Sequence, residues 1–400
     1  MGDGPYGICH TSPMSPAVRM TLYNIVYFAG LAGVLLFLPV WFEKARGLSG
    51  AEIGIIMACA GFGRMIAGPL AAAWADGRRD RHAPLKLLGL VVLAAFLLLA
   101  AAPGFGTILM AALVGITGYW LIVGYIESGL MRLCDSRSRL DYSRARGIGS
   151  AAFVAGSLGL GWGIDAFGPP SALVAVILLC ALLAVGAWLL TPETVERGVE
   201  PPIGQRLREG LGLVRQPAFF LLIFGAGFVQ ASHAFYNVFG GLVWLNQGIS
   251  GSWVGALYSI GVAVEVAFLV LLGRWSERFH ASGLVLAGGL GATLRWMVLA
   301  AQPDLALLIP LQALHGLSFA ATYLGTMRLI QQWYGIDRAP TAQMMYQSFA
   351  AAPEAALASL LAGPLYDEFG ALGYVGMIVL AVVGVALSIR LRRAPAPSLA

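Results

Sequence analysis

Apolar residues in this 400-residue chain form runs of about 20, and short polar breaks separate one run from the next. A helix of about 20 apolar residues spans the hydrocarbon core of a bilayer, and a soluble core of this size does not need so many runs. The pattern predicts an all-α membrane protein. It places twelve transmembrane helices at residues 20–42, 51–75, 84–102, 106–131, 147–166, 171–191, 217–245, 252–273, 281–302, 305–330, 341–363 and 372–391.

The chain also repeats itself at a spacing of about 200 residues. Four groups of residues recur in the same order, which indicates two homologous halves of six helices each. We expect a disordered tail at 1–17, a first half at 18–191, a cytoplasmic linker at 192–216, a second half at 217–392 and a tail at 393–400. The clearest matches pair Ser49-Gly50 with Ser250-Gly251, and Gly161 and Asp165 with Gly363 and Asp367.

The positions of lysine and arginine predict the orientation of the chain. If both termini are cytoplasmic, nearly all basic residues fall on the inside, as the positive-inside rule requires. Lys44 and Arg46 then lie outside, and Arg64 and Arg295 lie within spans. The same asymmetry accounts for the net charge of +5, so no nucleic-acid partner is needed. We expect a multi-pass protein of a bacterial cytoplasmic (inner) membrane.

The sequence gives no support to an enzyme. It contains no glycine-rich phosphate loop, nucleophile elbow or metal-ligand motif, and its soluble segments are too short for a catalytic domain. The four cysteines have no paired spacing, so we predict no disulfide. We also expect no cofactor and no metal, and ATP is not expected to drive the protein.

Five ionisable side chains lie within otherwise apolar segments. Each costs roughly 3 kcal/mol at the centre of a bilayer on insertion scales, so a simple helix anchor does not carry them. They indicate a polar cavity inside a membrane bundle, which is typical of a solute transporter. These residues are Arg64, Glu127, Glu265, Arg295 and Glu354.

Depth along the predicted helices indicates which of these groups meet. Glu265, Arg295 and His315 all fall near the midplane of their helices and are predicted to form one cluster. Burial and a nearby arginine shift the proton affinity of a carboxylate in opposite directions, which is a physical basis for proton coupling. The alternative is a permanent ion pair that joins two helices. Glu354 is assigned to the same proton-coupling set.

Glu127 and Arg146 form a second candidate pair, in the first half. The planar guanidinium binds a carboxylate or sugar hydroxyls in a defined geometry. The alternative is an interhelical lock. Arg64 has no acid on its own helical face and either attracts an anionic substrate or pairs with Glu127 or Glu354.

Polar stripes on several helices supply further candidates. Gln343, Gln347 and Glu354 are spaced so as to share one face of the eleventh predicted helix. Such stripes indicate a wet interior more often than direct contact with a ligand. The substrate-binding candidates beyond the charged groups are His233, Asn237, Tyr27, Tyr236, Gln312 and Gln347.

Two six-helix halves and the loop Asp76-Gly77-Arg78-Arg79 resemble the major facilitator superfamily. The match is loose, because Ala72 stands where that pattern usually has glycine. The resemblance implies two halves that rock around a central site. It also implies that Asp76, Arg78 and Arg79 form a cytoplasmic gate that stabilises the outward-facing state, whereas topology alone is the alternative role for these charges.

Finer motifs resemble the branch that holds lactose permease, nucleoside-proton symporters and phenylpropionate permeases. The segment 140–150 looks like the start of the fifth helix in that branch, and Glu127, Glu265, Arg295 and His315 fall where lactose permease keeps its functional groups. The segments 230–236, 255–265, 294–296 and 312–316 look most like phenylpropionate permeases. One departure is Ser318, which stands where lactose permease has a carboxylate.

These observations together predict a proton-coupled symporter that imports a small organic solute by alternating access. An aromatic or related organic carboxylate is favoured, because three arginines approach the cavity and aromatic residues flank it. A sugar or nucleoside symporter is the first alternative, followed by a drug/proton antiporter and a non-transporting membrane receptor. The expected partners are the solute, protons and lipid, and a monomer is the simplest assembly.

Overall fold

The computed structural model describes residues 14–133, 142–193, 203–275 and 278–397, and these consist of helices with short connections. A separate helix, Ile203–Val214, precedes α7. The other helices are α1 (Pro16–Lys44), α2 (Gly50–Asp76), α3 (Ala83–Ala101), α4 (Phe105–Leu133), α5 (Tyr142–Phe167), α6 (Pro170–Leu189), α7 (Pro217–Asn246), α8 (Gly251–Trp275), α9 (Ala281–Ala300), α10 (Leu305–Gly335), α11 (338–369) and α12 (Tyr374–Leu391).

Eleven helical stretches in the described part are long and apolar enough to cross a membrane. The last of them, Arg338–Leu391, is 54 residues long and contains both α11 and α12. A short 3₁₀ turn, Gly370–Gly373, separates the two, and Gly370 has a φ of 54° that favours glycine. The chain is therefore an all-helical, multi-pass membrane protein.

Most helix ends lie within a few residues of the predicted ones. The largest difference is α11, which continues to residue 369, beyond the predicted end at 363. Residues 1–13 of the predicted tail, 194–202 of the predicted linker and 398–400 lie outside the described residues. Ser15 caps α1 by accepting a hydrogen bond from the backbone of Val18.

Three helices contain a π-helical turn, in which the backbone widens by one residue. The turn at Gly33–Phe37 precedes Pro39, and the turn at Gln347–Ala351 precedes Pro353. Proline has no N–H to donate, so the helix before it loses one hydrogen bond and the widened turn accommodates the loss. A third π turn, Gly316–Ala321, follows His315. These turns rotate the side chains that follow them relative to a regular helix.

The two halves of the chain pack tightly at one end of the bundle, called the closed end below. A Cβ added at Gly54 of α2 would lie 2.7 Å from the Ser359 carbonyl oxygen of α11, and one added at Gly255 of α8 would overlap the α5 backbone. Towards the opposite, open end, Gly68 and Gly147 have no residue of the other half within 4 Å of an added Cβ. Among the described residues, these glycines therefore mark close packing of the halves at one end and no such contact at the other.

Two aspartates hold the closed end together in a symmetric way. Asp367, near the end of α11, accepts hydrogen bonds from two N–H groups at the start of α2, including that of Gly50 at 2.6 Å. Asp165, near the end of α5, does the same at the start of α8, where the N–H of Gly251 lies 2.6 Å away. Each carboxylate thus caps the positive end of a helix from the other half.

Candidate functional site

A cavity of about 280 Å³ lies between the halves, where α1, α2 and α4 face α7 and α11. Its volume is just below the range for small-molecule sites, roughly 300–1,000 Å³. Most of the lining is apolar or small. Its larger polar groups are the guanidinium of Arg64, the indole of Trp120 and the amides of Gln230 and Asn237, and no carboxylate is among the described lining residues.

Arg64 is the cationic group of this cavity. It lies on α2, is exposed and forms no hydrogen bond or ion pair with a described residue, so neither of its predicted partners, Glu127 or Glu354, contacts it. A free guanidinium presents several N–H donors in one plane, which matches the geometry of a carboxylate. The cavity therefore offers a guanidinium that can bind an anion, and the indole of Trp120 lines the same cavity.

Arg295 of α9 is the centre of a separate cluster and is 0% exposed. Its guanidinium donates to the side-chain oxygen of Gln312 at 2.9 Å and lies 2.9 Å from Nδ1 of His315. Its carbon Cζ also lies 4.2 Å from the ring centre of Tyr236, a favourable cation–π distance. All these partners are neutral side chains. Both terminal nitrogens of Arg295 are thus bonded inside the protein, whereas its buried Nε has no hydrogen-bond partner among the described residues. Arg295 does not line the cavity.

The hydrogen bonds around His315 assign its tautomer. A guanidinium can only donate, so Nδ1 of His315 must accept from Arg295 and the ring proton lies on Nε2. That nitrogen is 3.5 Å from the carboxylate of Glu265, which is 26% exposed. The predicted cluster of Glu265, Arg295 and His315 therefore exists, but His315 stands between the acid and the arginine instead of a direct ion pair.

The break in α7 places His233 beside this cluster. The helix is interrupted at Ser232 and His233, and Nδ1 of His233 donates to the Val229 carbonyl at 3.1 Å. Its Nε2 is then free to accept from the Ser318 hydroxyl at 3.1 Å. His233 is 1% exposed. It packs in the interior and does not line the cavity.

Tyr236 and Gln312, two more predicted substrate ligands, are also buried. The Tyr236 hydroxyl donates to the same Gln312 oxygen that accepts from Arg295, at 3.0 Å. Tyr27 is 1% exposed and stacks on Tyr119 with ring centres 4.9 Å apart. Of the predicted uncharged candidates, Asn237 lines the cavity.

Glu127 and Arg146 form the predicted ion pair, with Nε of the arginine 3.2 Å from the carboxylate. Their side chains are 34% and 39% exposed. The guanidinium also covers the ring of Phe28 at 4.7 Å and bonds Ser150. In this pair the charge of Arg146 is balanced by the carboxylate of Glu127. Arg146 is therefore less available than Arg64 to a free anion.

Comparison with known proteins decides the family. The family described as "MFS_1 like family" matches residues 17–374. The chain belongs to this family. It is a membrane transporter of the major facilitator superfamily and not an enzyme.

Two curated relatives cover most of this transporter. It is 28% identical over 352 residues to the "Probable 3-phenylpropionic acid transporter" of Escherichia coli (strain K12), a match that spans 86% of this chain and 90% of the relative. It is 24% identical over 299 residues to the "Maltose permease" of Geobacillus stearothermophilus, over 72% and 73% of the two chains.

Solved structures share the fold of this MFS_1-like transporter. The nucleoside transporter NupG superposes with a TM-score of 0.81 at 14% identity, over 95% of this chain and 99% of that one. A bacterial homolog of the human lysosomal transporter Spinster, in an inward-facing and unoccupied conformation, gives a TM-score of 0.72 at 16% identity, over 94% and 96%. The resemblance to the superfamily predicted from the sequence is confirmed.

The residues of the predicted gate form no hydrogen bond or ion pair with a described residue of the second half in this arrangement. Asp76, Arg78 and Arg79 are exposed at the open end, and Arg78, which follows α2, stacks on Trp74 of that helix at 4.5 Å. Nearby, His82 is buried, and its Nε2 lies 3.9 Å from a carboxylate oxygen of Glu193. Burial lowers the pKa of His82, so its ring is neutral at pH 7. Closure of a gate by these residues stays a prediction.

The prediction that Gln343, Gln347 and Glu354 share one face of the eleventh helix is wrong. Gln343 and Gln347 are exposed, whereas Glu354 is buried. The π turn at Gln347–Ala351 inserts one extra residue per turn between them and rotates Glu354 away from the two amides. Gln347 is not among the residues that line the cavity. Glu354, grouped by sequence with Glu265, has no described contact with that cluster.

Three features of the transporter were missed by the sequence analysis. Trp120 lines the cavity, although the sequence placed it only among many aromatic residues. Asp165 and Asp367 appeared as members of the repeat without a role. The sequence contained a clue to this capping role. Each aspartate lies four residues after a glycine near the end of its helix, and each capped helix begins with a glycine.

Proposed function

We propose that this transporter imports a small organic carboxylate with an aromatic or other apolar body, together with a proton. The observation that carries the proposal is the guanidinium of Arg64 beside Trp120, which has no partner among the described residues and lies in a cavity whose described lining contains no carboxylate. Asn237 offers a further donor to the carboxylate, whereas the Gln230 amide nitrogen already donates to the Phe319 carbonyl at 3.4 Å. The small residues of α11 leave room for a ring. The name of the phenylpropionic acid relative agrees with this chemistry.

Proton coupling is assigned to Glu265, His315 and Arg295. Glu265 is partly exposed, whereas Arg295 is buried and permanently charged, and His315 lies between them. Loss of the Glu265 proton leaves a carboxylate anion that contacts His315 directly. The positive charge of Arg295, on the other side of the His315 ring, also attracts this anion. The site has the groups needed to take up and release a proton without a cofactor, driven by the proton gradient.

Alternating access is proposed to operate by rocking of the two halves around the cavity. The turn at Gly370–Gly373 reverses the chain, and α12 then packs along α7 and α9. This reversal supports twelve spans with both termini in the cytoplasm of a bacterial inner membrane. The open end then faces the cytoplasm and the closed end faces outwards, so the arrangement is inward-open. A monomer contains the whole cavity.

A sugar or nucleoside is the second candidate substrate. The ion pair of Glu127 and Arg146 supports it, since both side chains are about one-third exposed and offer a carboxylate and a guanidinium to hydroxyl groups. Such a site would use the first half of the chain more than the central cavity.

Binding to the purified protein tests the proposed substrate class. Titration calorimetry with 3-phenylpropionate is expected to show binding that Arg64→Gln weakens at least tenfold, which corresponds to about 1.4 kcal/mol. The matched control is Arg393→Gln, at an exposed position outside the cavity. Equal affinity for the wild type and Arg64→Gln would remove Arg64 from the site, and binding of maltose or uridine instead would favour the second candidate.

A further inference from the structure

Glu354 is a buried acid that the proposed transport mechanism does not use. It lies on α11 and is 8% exposed. Neither carboxyl oxygen accepts a hydrogen bond from any residue in the described ranges, and no described lysine, arginine or histidine forms an ion pair with it. Glu265, by contrast, is partly exposed and contacts His315. The two acids therefore occupy different kinds of site.

The carboxyl group of Glu354 is pressed against α7. A Cβ added at Gly227 would overlap it, so glycine at that position is what admits the acid between the two helices. α7 presents no ionisable side chain there. The ionisable neighbours are the phenol of Tyr346 on α11 and, beyond it, that of Tyr323 on α10. Phenols are uncharged near pH 7 and supply no balancing charge.

Solvation decides the protonation state of such a group. An ionised carboxylate without a partner costs several kcal/mol when it leaves water, whereas a neutral carboxylic acid costs far less. Both carboxyl oxygens are buried against α7, and no cationic side chain of the described residues contacts them. The packed arrangement of α7 and α11 is thus compatible with the protonated form of Glu354 and incompatible with the anion.

We propose that Glu354 is a second proton-binding site, occupied by a proton while α7 and α11 are packed as in this inward-open arrangement, and that loss of this proton separates the two helices. The chemistry is reversible protonation of one carboxyl oxygen, and water that enters between α7 and α11 accepts the proton. Separation of the helices is required because the anion needs that water.

The position of Glu354 connects this proton to the substrate cavity. Gln230 lies one turn beyond Gly227 on α7, and Ala355 follows Glu354 on α11; both line the cavity. A solute that contacts α7 and α11 in the cavity therefore affects the packing of the same two helices between which Glu354 holds its proton. This coupling rests on the proposed function, whereas the protonation state of Glu354 does not.

Infrared difference spectroscopy tests the protonation state without any substrate. The wild type in lipid at pH 7 is expected to show a carboxylic acid C=O band that is absent in Glu354→Gln and shifted in Glu354→Asp. Glu368→Gln, which removes an exposed acid of the same helix, is the matched control and should leave the band unchanged. A spectrum of Glu354→Gln identical to that of the wild type would overturn the proposal.

Transport tests the coupling in the same variants. Glu354→Gln mimics the protonated acid and is expected to lower uphill accumulation of 3-phenylpropionate at least tenfold, while exchange of internal for external solute stays within twofold. Unchanged accumulation would overturn the coupling. If the wild type neither accumulates nor exchanges this solute, the proposed function fails, and the infrared band still decides the protonation of Glu354.

Discussion

The side chains of the three candidate arginines have different roles although all three looked alike in the sequence. Arg295 is bonded to Gln312 and His315, and Arg146 is paired with Glu127, whereas Arg64 forms no hydrogen bond or ion pair with a described residue. A guanidinium that already has its partners contributes to the structure of the protein, and only a free one is available to an anion. The assignment of substrate class therefore depends on the partners of each arginine.

Arg295→Lys is expected to destabilise the transporter. A lysine ammonium is a compact donor that cannot bond Gln312 and His315 at once or stack on Tyr236 as a planar group does. Loss of one buried hydrogen bond to a charged group costs about 1.5–3 kcal/mol. The measurement is the apparent melting temperature in detergent. Arg64→Lys is the control, and an equal melting temperature for both variants would contradict the structural role of Arg295.

Glu127→Gln separates the two candidate substrates. Its ion pair with Arg146 is partly exposed, so its loss is expected to cost no more than about 1 kcal/mol of stability. For a carboxylate bound at Arg64, the dissociation constant measured by calorimetry should change less than threefold. A loss of binding of tenfold or more, with the protein still folded, would instead place the solute at Glu127 and Arg146.

At the scale of helices, the closed end depends on two carboxylates that cap helices from the other half. Asp165 and Asp367 each accept two backbone hydrogen bonds, and their charge is favourable at a helix N-terminus by about 0.3–1 kcal/mol or more. Asparagine in either position loses the charge and presents a donor amide in place of one acceptor. The closed end should then open more often.

Asp367→Asn is expected to raise the accessibility of the closed seam several-fold. The probe is Ser359→Cys, at the contact with Gly54, in a chain whose natural cysteines are replaced. Modification by a membrane-impermeant maleimide added to the outside of right-side-out vesicles is measured as a rate. Glu368→Asn, one residue further along the helix and exposed, serves as control. An unchanged rate would show that the caps do not hold the seam.

The helices and their order could be predicted from the sequence, because hydrophobic length determines where a chain crosses lipid. The pairs of Glu127 with Arg146 and of Glu265 with His315 could be predicted too, since depth along a helix limits which groups meet. The face of Glu354 could not, because the π turn before Pro353 shifts the helical register by one residue. The contacts between the two halves could not be predicted either, since an internal repeat shows that the halves are homologous but not which of their helices pack together.

At the scale of the whole molecule, the described residues of the two halves pack closely at the closed end, whereas Gly68 and Gly147 at the open end have no neighbour from the other half. The central cavity lies between the halves, whereas the cluster around Arg295 and the buried acid Glu354 lie among helices of the second half. Rocking of the halves would open the contacts of α2 with α11 and of α5 with α8 and close the open end. The polar groups of the cavity would then face the opposite side of the membrane.

The most direct test of the account is proton movement in sealed proteoliposomes that contain an internal pH dye. Addition of 3-phenylpropionate should acidify the interior faster with the wild type than in protein-free vesicles, which correct for the weak acid that crosses lipid unaided. Arg64→Gln and Glu265→Gln should each reduce the protein-dependent rate at least tenfold. A rate equal to that of protein-free vesicles, or acidification by maltose or uridine instead, would contradict proton-coupled import of a carboxylate.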